Sequence, residues 1–274
     1  MSIINLENLV KHIDSLPPLS DVAQLVSNIY NSDYDNTDIS KLVRIIESDA
    51  LLTTNILKLI NSPYYARSKK INSISQAVTL FGTYKIYNLV INYAMKESIK
   101  ADTSIYGLNS AQFNQMCHLQ SNLIMQWYSK INLKDAKYLS SLALIMETGK
   151  LIIAAEVVKS EYSDIFRKLF IECEDIEEFE KSIIEINSYK LSAILFEHWN
   201  LEPTYIEILK SLDTYDESKI KKFIYAIKVV TTAINLKEVL TEKSIMKASE
   251  IVASMDLDTD DFIKISYELK AFLK

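Results

Sequence analysis

The stretch Ala143-Leu144-Ile145-Met146-Glu147-Thr148-Gly149-Lys150-Leu151 decides how this chain is read. An apolar run ends at Met146, and a Gly-Lys pair follows three residues later. Glycine lets the backbone turn where other residues resist, so the spacing predicts helices over 135–146 and 150–158 with a break at Gly149-Lys150. Met146 is expected as a packing residue, since its flexible thioether fills irregular space. Glu147 and Lys150 stand three apart and are expected to form a helix-surface pair worth little.

Composition extends the helical reading to the whole chain. Its 274 residues suit one large domain or two small ones, and a chain of that length folds without staples. Only three glycines and four prolines are present, too few for hairpins and tight turns that depend on those residues. The predicted fold class is all-α. A net charge of −6 argues against a general nucleic-acid binder, which needs a basic stripe; Arg67, Lys69, Lys70 and Lys219, Lys221, Lys222 are short clusters of solvated helix ends. Cys117 and Cys173 form no C-x-x-C pattern, which speaks against a disulfide or a zinc site. The N-terminus lacks the basic-then-apolar order of a signal peptide, and no run of about 18 uninterrupted apolar residues occurs. A cytoplasmic protein with no membrane insertion is the expectation.

Local signals divide the chain into about fourteen to fifteen helices. Apolar residues recur at helical spacing in Ile74, Ala77, Val78, Phe81; in Ile86, Leu89, Val90, Tyr93; in Leu123, Ile124, Trp127, Ile131; and in Phe223, Ile227, Val230, Ile234. Ser73 with Gln76 reads as a capping box, and Gly82 as the left-handed residue closing that helix. Asp49 caps a helix to about Asn61, where Pro63 disfavours further turns. Leu16-Pro17-Pro18-Leu19 is an extended linker, with Ser20 opening the next helix. A helix is also expected over 217–237. Ala101–Asn109, with Gly107, is the expected junction, giving an N-terminal subdomain over 1–105 and a second helical subdomain over 106–274.

The order Leu16-Pro17-Pro18-Leu19, Asp49, Asn61-Ser62-Pro63-Tyr64-Tyr65, Ile71, Ser73-Ile74, Ala77, Phe81-Gly82, Ile86 and Asn88-Leu89-Val90, then Met146–Leu151, resembles the HDOD family. These are bacterial regulatory modules related to HD-domain hydrolases. The likeness runs from about Leu16 to Asp213 and implies an N-terminal helical bundle packed on an HD-like helical half. In HD hydrolases an adjacent His-Asp pair binds a divalent metal that activates water. Here Met146 and Glu147 hold those positions. The three histidines, His12, His118 and His198, precede Ile13, Leu119 and Trp199, so the chain has no His-Asp dyad.

Carried across residue by residue, the resemblance puts His118 at the first metal-binding histidine. It puts Ser188 near a position often held by His, and Leu212-Asp213 at a frequent pair of histidines. A thioether at 146 is a poor ligand for the metals of hydrolysis, so no metal and no other cofactor is expected. His118 points away from its helix's apolar stripe, with Asn114, Ser121, Asn122 and Met125, towards solvent or a polar cleft. His12 is expected to be exposed, and His198 has no ligand role.

What the resemblance implies is a non-enzymatic signal-transduction module that binds unidentified signalling proteins through a face at the junction of its halves. Tyr64, Tyr65, Tyr84 and Tyr87, four of 16 tyrosines, are candidate docking residues, because aromatic rings with a polar tip are favoured at interfaces. Two rival readings remain: a nucleotide or second-messenger sensor in the vestigial cleft, and a residual phosphohydrolase using His118, Glu147 and Asp213.

Overall fold

The computed structural model describes residues 4–32, 38–62, 70–212 and 220–273. Fifteen α-helices, α1 to α15, make up the secondary structure of those residues, with one 3₁₀ turn at Thr103–Tyr106. The β-structure found among them is a lone antiparallel bridge between Ile234 and Val239. The chain divides into two compact units, Leu16–Ile99 and Met1–Ser15 with Lys100–Lys274. The first helix, α1 (Leu6–Ser15), therefore belongs to the larger unit.

In the smaller unit α2 (Asp21–Ser32), α3 (Ile39–Glu47) and α4 (Ala50–Ile60) all pack against α5 (Ile74–Ile99). The start signals read from sequence operate as hydrogen bonds. Ser20 Oγ accepts from the N–H of Ala23, and Asp49 Oδ1 accepts from Leu52 at 2.9 Å. Ser73 Oγ accepts from the N–H of Gln76, while the Gln76 side chain reaches one residue further back, to the N–H of Asn72. Gly82 interrupts α5 with φ +80 and ψ 159, a conformation open to glycine. Asn61 does more than end α4. Its side chain donates to the carbonyl of Ile71 and accepts from the Ile71 N–H, both at 2.8 Å.

The larger unit is built around an αα-hairpin of α6 (Ser110–Tyr128) and α7 (Leu133–Ile145), followed by α8 (Thr148–Val157). Leu133–Val157 is long and apolar enough to cross a membrane, yet 94% of its apolar window is buried inside the protein. It is a core segment. Against it stand α11 (Ser188–His198), which packs on α8, and α13 (Lys221–Ala233), which packs on α6 and α7. Two further helices, α14 (Glu242–Ser254) and α15 (Thr259–Ala271), continue from α13 back to α6, where Trp127 meets Phe262 edge to face at 5.3 Å. The remaining elements are α9 (Ser163–Glu172), α10 (Ile176–Ile184) and α12 (Pro203–Ser211). Tyr106 of the 3₁₀ turn stands edge-on to Phe166 and Phe170 of α9, and Phe166 to Phe179 of α10.

Two sequence expectations are corrected here. The helix over 217–237 is described only from Lys221, and it stops at Ala233. Leu240 N–H then bonds to Ala233, so the chain doubles back tightly without glycine or proline. The break expected at Gly149-Lys150 lies instead at Met146-Glu147, and Gly149 is in the first turn of α8. The reason for glycine there is contact. A Cβ on Gly149 would lie 1.9 Å from the carbonyl oxygen of Ser188. Its N–H donates to Ser192 Oγ at 2.7 Å, and that hydroxyl in turn donates to the Met146 carbonyl at 2.6 Å.

Helix propensity alone would favour alanine at 149 by about 1 kcal/mol, but the clash with rigid backbone acts the other way. Gly149→Ala is expected to destabilise the protein by about 1–3 kcal/mol or more through overpacking. Urea unfolding of the variant measures this, and a stabilised variant would contradict the close approach.

Candidate functional site

Where α8 crosses α11, a network of polar side chains is closed off from water. Lys150 is 3% exposed, Glu147 2%, and Glu180, Gln120 and Ser188 0%. The Lys150 Nζ lies 2.7 Å from Glu147 Oε2, donates to Ser188 Oγ at 2.7 Å, and stands 3.7 Å from Glu180 Oε1. It also lies 4.5 Å from the centre of the Tyr189 ring, within range for a cation–π contact. The other oxygen of Glu147 accepts from Gln120 Nε2 at 2.7 Å and from the Tyr189 hydroxyl at 3.2 Å. Glu180 Oε2 accepts from the N–H of Ser188 at 2.7 Å. Gln120 Nε2 also donates to the Ile234 carbonyl, tying α6 to the end of α13. Beside the network lies a cavity of about 500 Å³, whose lining includes Glu147, Lys150, Glu177, Tyr189, Lys237 and Lys243.

The electrostatics follow from this closure. Burial alone would lower the Lys150 ammonium, but the carboxylates of Glu147 and Glu180 outweigh it and hold the group above its ordinary 10.5. Burial pushes the Glu180 carboxyl above the usual range against the pull of Lys150, and it raises Glu177 likewise. Tyr189 and Tyr106 are held well above 10.0, first by burial and then by the nearby carboxylates.

The residues singled out from sequence fall as follows. Glu147 and Ser188 meet through Lys150. Met146 is buried in the core, and its carbonyl serves Ser192. His118 is 4% exposed, which decides for the interior over solvent. Asp213, Tyr64 and Tyr65 lie outside the described residues. Tyr84 and Tyr87 are buried. The Glu147–Lys150 pair, expected on the surface, is in the interior, because α8 is enclosed on all sides. His12, expected to be exposed, is largely buried, with its Nδ1 against Glu156 Oε1. Cys117 and Cys173 are not joined by a disulfide.

Gln120, Glu180 and Tyr189 were not foreseen, although two of them left a trace. Gln120 takes an apolar slot in the stripe Phe113, Met116, Cys117, Leu123, Ile124, and Glu180 does so among Ile176, Phe179, Ile183 and Ile184. A polar residue in an apolar stripe is buried and needs a partner.

The donors do not fit the metal that the His-Asp centre implies. Among the described residues no three His, Cys, Asp or Glu side chains converge to hold an ion. Both oxygens of Glu147 face donors of the protein itself, and a buried ammonium stands between Glu147 and Ser188.

The HDOD domain model matches residues 16–214, and the chain belongs to the HDOD domain family. No curated protein matches the chain. Among solved structures it is similar to a virulence factor from Campylobacter jejuni subsp. jejuni, at 24% identity and a TM-score of 0.59 over 95% of both chains. It is also similar to a candidate phosphohydrolase from Shewanella amazonensis SB2B, at 15% identity and a TM-score of 0.71 over 97% of this chain and 98% of that one. A candidate signal transduction protein from Marinobacter aquaeolei VT8 gives 16% identity and a TM-score of 0.73, over 97% of this chain and 62% of that one. At these identities the likeness is one of fold.

Above about pH 10 an unfolded chain releases protons from Tyr106, Tyr189 and Lys150 that the folded chain retains. The folded state then binds more protons, so stability falls as pH rises. Urea midpoints are expected not to fall between about pH 8 and pH 9, where buried Lys85, lowered to about 8, already sheds its proton in the folded state, and to drop between about pH 10 and pH 11. Tyr189→Phe removes one of the retained protons and is expected to flatten the drop; an unchanged slope would contradict the burial of that hydroxyl.

Proposed function

We propose that this protein is a regulatory module of signal transduction that works by binding a protein partner and not by catalysis. The observation that carries this reading is the buried network around Lys150. Side chains at two of the positions assigned to metal ligands are committed to a lysine ammonium, and no described cluster is left to grip and activate a metal-bound water. Family membership supports the regulatory role. So does the description of the Marinobacter protein of like fold as a candidate signal transduction protein.

A partner needs a face, and α9 offers one. Tyr162, Ile165 and Leu169 recur along one side of it, and all three are exposed, while Phe166 and Phe170 are buried on another. Aligned exposed apolar side chains with a polar rim mark protein contact sites. Glu161, Asp164 and Lys168 form such a rim.

A second reading has the cavity behind it. Its lining mixes Lys237, Lys243 and Lys247 with Glu174, Asp175 and Glu177, and its volume suits a small polar ligand. In that reading the domain senses a nucleotide or second messenger.

Affinity capture with the full chain, beside an Ile165→Asp/Leu169→Asp variant, separates these readings. The proposed function expects a signalling protein retained by the wild type and lost by the folded variant, with no phosphodiester hydrolysis in Mn²⁺ or Mg²⁺. Turnover abolished by His118→Ala would overturn it in favour of a hydrolase. Thermal stabilisation by a nucleotide, lost on changing Lys243 and Lys247, would favour the sensor.

A further inference from the structure

Large apolar side chains left in water are scattered over most helices of this protein and gathered on α9. Each of the other described helices exposes at most one, whereas α9 exposes Ile165, Leu169 and Ile171, with Tyr162 at its N-cap. At the helical turn of about 100° per residue, Tyr162, Ile165 and Leu169 fall within a stripe about 60° wide. On one side of the stripe lie Phe166 and Phe170, buried against Tyr106 and Phe179. On its other side runs an exposed row of charge, Glu161, Asp164 and Lys168.

The order of charges in that row selects the occupant, because acid comes first and base follows. An antiparallel copy of α9, related by a two-fold axis level with Phe166, sets Asp164 of each copy opposite Lys168 of the other. Such an axis keeps both charged rows on the same side of the pair, so row meets row and stripe meets stripe. A parallel copy would instead set the charged row against the flank of Phe166 and Phe170. The Asp164 carboxylate is 88% exposed, and its contact with Arg167 of its own chain is loose, at 3.6 Å.

We propose that α9 is the seat of a two-fold dimer of this protein, with the Tyr162, Ile165 and Leu169 stripes of two copies packed antiparallel and Asp164 paired with Lys168 across the axis. An isologous contact of this kind is self-complementary and closes at two copies. The dimer rests on the reading of α9 as a contact face and names a second copy as its occupant. A helix of ten residues is only about 15 Å long. The area it buries is at the small end for specific interfaces, so the dimer is weak and forms at micromolar concentrations.

Sedimentation equilibrium of the purified full chain provides the test. The wild type is expected to pass from monomer to dimer across roughly 1–300 µM, and the Ile165→Asp/Leu169→Asp variant to stay monomeric. Asp164→Lys and Lys168→Glu each set like charges opposite one another, and each is expected to weaken the dimer about fivefold or more. Mixed in equal amounts, these two single variants carry complementary rows and are expected to pair with each other about as tightly as the wild type does with itself. A wild type monomeric throughout, a dimer indifferent to the apolar changes, or single variants that do not rescue each other would overturn the proposal. Should the apolar variant lose its fold, the charge changes, made at exposed positions, decide alone. Sedimentation needs no signalling protein, so a dimer that captures nothing and a monomer that captures a partner are distinct results.

Discussion

The contact between Lys150 and Glu147 pairs two charges in the interior of the larger unit. A charge moved from water to the interior loses several kcal/mol of solvation, and attraction to its partner returns this only when the geometry is good and the remaining lone pairs are satisfied. Here partners come from four places: Gln120 on α6, Glu147 at the α7–α8 turn, Glu180 on α10, and Ser188 with Tyr189 on α11, while Gln120 Oε1 and Glu180 Oε1 are left without a hydrogen bond. Each supplies something the others need, so the helices that carry them have little freedom of position. Such a network is weak evidence of net stability, because apolar residues of equal volume often fill such a space at no greater cost.

Gly149 and Ser192 set the distance at which this happens. With no side chain at 149, the start of α8 lies against the backbone of α11 at Ser188, and the Ser192 hydroxyl joins a donor on Gly149 to an acceptor on Met146. That approach brings Ser188 within reach of Lys150, one residue beyond Gly149. The Gly-Lys pair thus works as a unit, in which the glycine admits the helix and the lysine occupies the space between the carboxylates.

For function, the consequence is a division of labour within one fold. The scaffold of an HD-type domain is present, from the helix hairpin α6–α7 to the packed α8–α11 crossing, and solved structures with the same fold include one described as a candidate phosphohydrolase and one as a candidate signal transduction protein. A fold shared at such low identity fixes architecture and leaves function to the site. In this chain the site is closed, charged and internally paired, while α9 turns apolar side chains outwards.

The sequence by itself determined the all-α class, the family and most helix limits, because these rest on local rules. Scarce Gly and Pro exclude turn-rich folds, and Asp49, Ser20, Ser73 and Gly82 act on backbone groups within four residues. It also made plain that no His-Asp dyad exists. Glu180 and Gln120 were legible in part, as polar residues in apolar stripes, although their partners were not. Only the tertiary structure decided that Glu147 and Lys150 face each other in the interior, that Gly149 serves a helix contact instead of a break, and that His12 finds Glu156. Burial depends on which residues from distant parts of the chain close over a side chain, and the three-residue spacing of Glu147 and Lys150 is the same on a wet helix face as in a dry core.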